Sequence, residues 1–185
     1  MGAEEVLDFW FGSLTQGELP TEGTLKRWFR GGAAFDREIR QRFEPELAVA
    51  LRGECEAWAS TPRGRLALVI ALDQFTRNAY RGTAAAFSGD ERALAHALAA
   101  VEAREDEQLR SVERYFLYMP FEHAEDLDMQ ERACSVFERL VAQAPEAVER
   151  ICRGGLDWAR RHKRVIERFG RFPGRNAALG RESTA

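Results

Sequence analysis

Apolar residues recur along this chain at helical spacing, and no segment alternates with the two-residue period of a half-buried strand. Val6, Leu7 and Trp10 predict a short first helix that Gly12 stops, and Leu25, Trp28 and Phe29 predict a second. Phe35, Ile39 and Phe43 share one face of a third, which Pro45 is expected to kink or break before Leu47 and Leu51. Residues 66–72 are apolar on every side and predict a fully buried helix. Pro62 sits near its start, where proline is tolerated, and Gly82 ends it.

Ser88 with Glu91 fits a capping box ahead of a helix carrying Leu94, Leu98 and Val101. Ser111 is placed to cap an aromatic helix through Tyr115, Phe116 and Tyr118, which Pro120 is expected to terminate. Asp128 with Glu131 offers a cap for the stripe Ala133, Val136, Phe137, Leu140 and Val141. A last long helix begins near Pro145, with Val148, Ile151, Cys152, Ala159, His162, Ile166 and Phe169 on its apolar face. Gly154-Gly155 is expected to weaken its middle and Gly170 to stop it. The pattern predicts one all-α domain over residues 1–185, built from about eight or nine short helices in stacked hairpins with brief connections.

Composition narrows the class without naming an activity. With 185 residues, 45% hydrophobic and 31% charged, the chain has the balance of a globular domain. A net charge of −3 gives no case for nucleic acid. Cys55, Cys134 and Cys152 are odd in number and form no close-spaced metal pair, so they read as reduced thiols in a cytoplasmic protein. The acidic start lacks the basic-then-apolar order of a signal peptide, and Val6 stands where a myristoylation motif needs Ser or Thr. The longest apolar run is too short to cross a bilayer.

Three polar constellations carry the candidate chemistry. The first follows the buried helix directly: Asp73, Arg77 and Arg81 at i, i+4 and i+8, with Gln74 and Asn78 on the adjacent stripe. These residues are costly to bury unpaired, so they form either a knot of ion pairs or a pocket for an anion or carboxylate. The second is the segment 118–126, where Glu122, His123, Glu125 and Asp126 follow Pro120. His123 with Glu122 or Asp126 would make an acid–base pair. With no HExxH spacing and one local histidine, no metal is expected. The third is the tail, where four arginines (Arg168, Arg171, Arg175 and Arg181) alternate with Phe169 and Phe172. The phenylalanines are expected to dock the tail and carry the arginines to a fixed place. No glycine-rich phosphate loop and no GxSxG elbow is present, and no cofactor is implied.

In this order, the segments 6–12, 64–68, 73–78, 81–83, 118–126 and 169–176 resemble the bacterial family called domain of unknown function 924, over nearly the whole chain. The resemblance implies a tetratricopeptide-like helical fold and no established reaction, substrate or cofactor. It marks Asp73, Gln74, Arg77, Asn78, His123, Glu125, Asp126, Arg171, Arg175 and Asn176 as signature positions. Gly174 stands where members often have His before the tail Arg-Asn, and Ala124 where many have Ser; relatives also tend to continue past Ala185.

The expected function is a binding module in which these residues line one concave polar pocket. Arg77 and Arg175 would hold a small anion or acidic peptide end, and Asn78 would orient it. The alternative is a hydrolase or transferase with His123 as general base, Asp126 orienting it and Arg77 stabilising negative charge. The third reading is a closed ion-pair network that fixes helix packing.

Overall fold

Gly12, at φ 59°, stops helix α1 (Ala3–Phe11) where the pattern places the stop. The computed structural model describes residues 2–12, 14 and 18–183. Helix α2 (Glu22–Arg30) starts at Thr21, whose hydroxyl accepts the Thr24 N–H. Helix α3 (Ala33–Leu51) runs through Pro45 without a break. Phe9, Trp10, Phe35, Phe43, Phe75 and Phe116 interlock mainly edge-on and tilted across α1, α3 and the centre of the protein.

The central rod begins with α4 (Pro62–Val69), capped by Thr61 with Pro62 in its first turn. It continues through a wide turn, Ile70–Phe75, into α5 (Thr76–Ala79). Every residue from 66 to 72 is fully buried, as the all-round apolar pattern requires. After Gly82, at φ 82°, come α6 (Asp90–Glu102), α7 (Ser111–His123), α8 (Leu127–Gln143) and α9 (Glu146–Phe169). Helices α7, α8 and α9 pack on one another, and α4 packs on α1, α6 and α7. One hydrophobic cluster reaches from α1 to α9. Among the described residues the chain is all-helical with no strand, in keeping with a tetratricopeptide-like array. No described helix is long and apolar enough to cross a membrane.

Four local expectations are corrected. Pro120 lies inside α7, which continues to His123. Its ring removes one backbone bond without ending so deeply buried a helix, so His123 sits on the last helical turn and not beyond a corner. Gly89, not Ser88, precedes α6, and a Cβ there would meet the Leu72 carbonyl at 2.2 Å, so α6 starts pressed against the rod; Ser88 bonds back to Ala85 O. Arg110 precedes α7, where the Glu113 carboxylate takes its N–H, while the Ser111 N–H goes to Glu18. Asp126, not Asp128, caps α8 by accepting the Met129 N–H at 2.9 Å.

Helix α9 is continuous through Gly154-Gly155. A Cβ on Gly155 would lie 2.6 Å from both the Tyr115 and the Phe137 rings, so this glycine is required by close packing.

Candidate functional site

The site grows from the wide turn in the rod. Residues Ile70–Phe75 are wound as a π-helix, a feature often found at functional positions. Three consecutive side chains reach back to carbonyls four residues earlier. Thr76 Oγ1 donates to Leu72 O at 2.7 Å, Arg77 Nη1 to Asp73 O at 2.8 Å and Asn78 Nδ2 to Gln74 O at 2.7 Å. Side-chain bonds of this kind alter a helix's path by competing with its backbone ladder. Thr76-Arg77-Asn78 thus supports the turn that keeps Asp73 and Gln74 buried.

Asp73 is fully buried, and each of its oxygens is engaged. Oδ1 lies 2.7 Å from His123 Nδ1 and 2.8 Å from Arg77 Nη1, and Oδ2 accepts from Gln74 Nε2 at 2.6 Å. Burial opposes the charge, but Arg77, His123 and the Gln74 bond prevail and hold the Asp73 pKa down to about 2. Burial and the neighbouring Arg77 push the His123 pKa below its ordinary value against the pull of Asp73, so the imidazole is neutral at neutral pH. With Nδ1–H donating to Asp73, Nε2 carries the lone pair. Among the described residues Nε2 has no protein partner, and the side chain keeps 12% of its surface accessible.

Around this pair lie groups with unused capacity. Glu122 is buried with Oε2 unpartnered, and burial together with the Asp73 charge pushes its pKa up to about 8, so it is a neutral acid at neutral pH. His162 on α9 stands 6.3 Å from His123, ring centre to ring centre, and its sealed Nδ1 has no partner. Gln130 on α8 donates to the carbonyls of Glu122 (2.8 Å) and Ala124 (2.7 Å), fixing the chain on either side of His123.

The arginines converge on a residue whose role no sequence pattern marks. Arg77 grips Asp90 with two bonds, at 2.8 and 3.0 Å, and Arg175 reaches the same carboxylate at 3.1 Å. Arg175 also donates to His123 O at 2.8 Å, with its guanidinium between the Phe87 and Phe172 rings at 4.7 and 4.6 Å. Burial and the proximity of Arg77 lower the Arg175 pKa. Asp90 opens α6 and reads in the sequence as an ordinary acidic residue of a first helical turn, so only the tertiary packing reveals its role.

The structure brings together Asp73, Gln74, Arg77, Asn78, His123 and Arg175 and separates the other candidates. Arg81 pairs with Asp36 on α3, although it also donates to Asn78. Asp126 is occupied as the α8 cap, so the carboxylate that orients His123 is Asp73. Glu125 accepts the Phe172 N–H and two bonds from Arg181, which ties down the tail. Asn176 is buried in the tail, where its Nδ2 donates to Glu182 O. No ion pair joins Arg171 to the cluster among the described residues. Phe172 docks against His162 as expected, whereas Phe169 is half-buried beneath Arg168. Among the described residues no group of three or more His, Cys, Asp or Glu side chains converges to hold a metal ion.

A family model for bacterial proteins of unknown function, DUF924, matches residues 6–185. The chain belongs to this family. A DUF924 assignment places no reaction on the cluster. The chain is also similar to the solved structure of a protein of unknown function from Agrobacterium tumefaciens. The two share 35% identity with a TM-score of 0.80, and the match covers 98% of this chain and 92% of the other. No curated protein matches.

Proposed function

We propose that this DUF924 protein binds a small polar molecule at the mouth of the cluster and takes a proton from it through His123, in a reaction of hydrolase or transferase type. The observation that carries this reading is the 2.7 Å contact between buried Asp73 and His123 Nδ1, with Nε2 left free. A buried carboxylate on Nδ1 fixes the tautomer and ring orientation and stabilises the imidazolium formed on proton transfer. A neutral imidazole at neutral pH is in the right state to act as a base. The π turn beneath Asp73 and the neutral acid at Glu122 fit a site tuned for proton movement.

A binding role without chemistry, for a small anion, is favoured by one observation. Arg175 has one carboxylate partner, Asp90, which it shares with Arg77, and its guanidinium lies against the Phe87 and Phe172 rings, a setting that would accept a further anion. The test is a thermal-shift screen of anionic metabolites together with turnover assays on ester and phosphoester panels, run on the wild type, His123→Ala and Arg175→Ala. Turnover lost in a folded His123→Ala variant supports the base. A fully active His123→Ala variant ends that reading, and ligand shifts that vanish only in Arg175→Ala support the anion.

A further inference from the structure

A concavity away from the His123 cluster lies between α2 and α9. It is a groove of about 640 Å³, within the range of small-molecule sites. Its apolar lining comes from Leu25, Phe29, Tyr115, Ile151 and Trp158, and its charged lining is Lys26, Arg30, Arg150 and Glu22. Phe29 and Trp158 are 52% and 50% exposed, which is unusual for large aromatic side chains beside one another's groove.

Two independent features say what it takes. Among the described residues no ion pair is formed by Lys26, Arg30 or Arg150, so the positive charge that these three bring to the lining is not neutralised by a paired carboxylate. Three cations against one Glu leave the lining positive. The second feature is Gly154. Glycine in the middle of a long helix is unfavourable, and Gly155 is explained by its contact with Tyr115 and Phe137. A Cβ on Gly154 would meet nothing within 4 Å inside the protein, yet Gly154 lines the groove. The core therefore places no demand on this glycine, and a side chain added here would enter the groove.

We propose that this groove binds a small amphiphilic anion, an acyl or aryl body ending in a carboxylate. The apolar body lies along Phe29, Ile151 and Trp158 over Gly154, and the carboxylate meets Lys26, Arg30 or Arg150. Arginine's planar fork suits a carboxylate, and unpaired cations beside an apolar lining select an anion over a neutral chain of the same length. The inference shares no residue with the proposed base, so either stands if the other fails.

Isothermal titration calorimetry with decanoate below its micellar concentration tests it, with decanol as the neutral control. The wild type is expected to bind decanoate saturably, one per chain. Gly154→Leu is expected to weaken binding by about tenfold or more without lowering the melting temperature, because leucine favours the helix while its side chain fills the groove. The double variant Lys26→Glu, Arg150→Glu is expected to lose decanoate to a similar degree, with decanol weak throughout. Absence of saturable binding in the wild type, unchanged binding in Gly154→Leu, or decanol binding as tightly as decanoate overturns the proposal.

Discussion

His123 Nδ1 lies 2.7 Å from Asp73 Oδ1, joining the last residue of α7 to the π turn of the central rod. This contact ties the most buried carboxylate of the cluster to a side chain that still reaches solvent, and the stability and chemistry of the site both depend on it.

Arg77→Ala is expected to destabilise the protein by about 3–5 kcal/mol, because it strips Asp73 of its cation while leaving the carboxylate fully buried. Arg77→Lys is expected to recover little, since a single ammonium cannot serve Asp73 and both oxygens of Asp90. Urea denaturation checks this, and an unchanged midpoint in Arg77→Ala would contradict it.

Glu122 makes stability fall as pH rises from mildly acidic to slightly alkaline. Its folded pKa of about 8 is raised above the ordinary 4.5, so the folded state holds a proton that the unfolded chain releases. The contribution is therefore fully present below about 4.5 and is lost as pH rises toward 8, at roughly 1.4 kcal/mol per unit. Glu122→Gln, which keeps the neutral shape, is expected to match the wild type below about pH 4.5 and to become progressively more stable than it as pH rises toward 8. Parallel melting curves for the two proteins across this pH range would refute the assignment. Asp73 acts in the opposite sense. Its folded pKa of about 2 lies below the ordinary 3.8, so its contribution is present above the latter and lost as pH falls through the former.

Gln130→Leu is expected to cost about 1–3 kcal/mol, because the carbonyls of Glu122 and Ala124 lose their donor in a buried place. The same variant is expected to shift the imidazole resonances of His123, whose backbone those bonds hold. Denaturation and NMR spectra together check this, and a stability loss with unmoved His123 signals would remove Gln130 from the site's support.

The adjacent glycines of α9 are expected to respond oppositely. Gly155→Ala places a methyl 2.6 Å from two aromatic rings and should destabilise by about 1–3 kcal/mol. Gly154→Ala meets nothing and should stabilise by up to about 1 kcal/mol. Melting temperatures that move the same way in both variants would contradict the packing described for α9.

Much of this arrangement is legible in the sequence because it follows from local pattern. The apolar run 66–72 announces a helix buried on all sides, and Asp73 with Arg77 announces a pair at helical spacing. That Asp73, His123 and Arg175 meet is not carried by any local pattern and comes from the packing of α7 and the tail onto the rod. What stayed hidden depends on tertiary packing. The π turn is sustained by bonds from Thr76, Arg77 and Asn78 that have no separate signature in residue type. Asp90 looks like any acidic residue of a first turn until two arginines are folded onto it. Pro120 reads as a helix end, yet burial of nearly all of α7 outweighs the one backbone bond it removes. A helix ended at Pro120 would put Asp126 beside His123, whereas in the fold Asp126 caps the next helix and the carboxylate on His123 Nδ1 is Asp73.

The most direct test of the proposed base is long-range proton–nitrogen correlation NMR of the imidazoles, in the wild type and in Asp73→Asn, followed from mildly acidic to alkaline pH. The account predicts a neutral His123 at neutral pH, protonated on Nδ1 and bare on Nε2, with a titration below the ordinary histidine value and a disturbed tautomer in Asp73→Asn. A cationic ring at neutral pH, or a neutral ring protonated on Nε2 in the wild type, would contradict it.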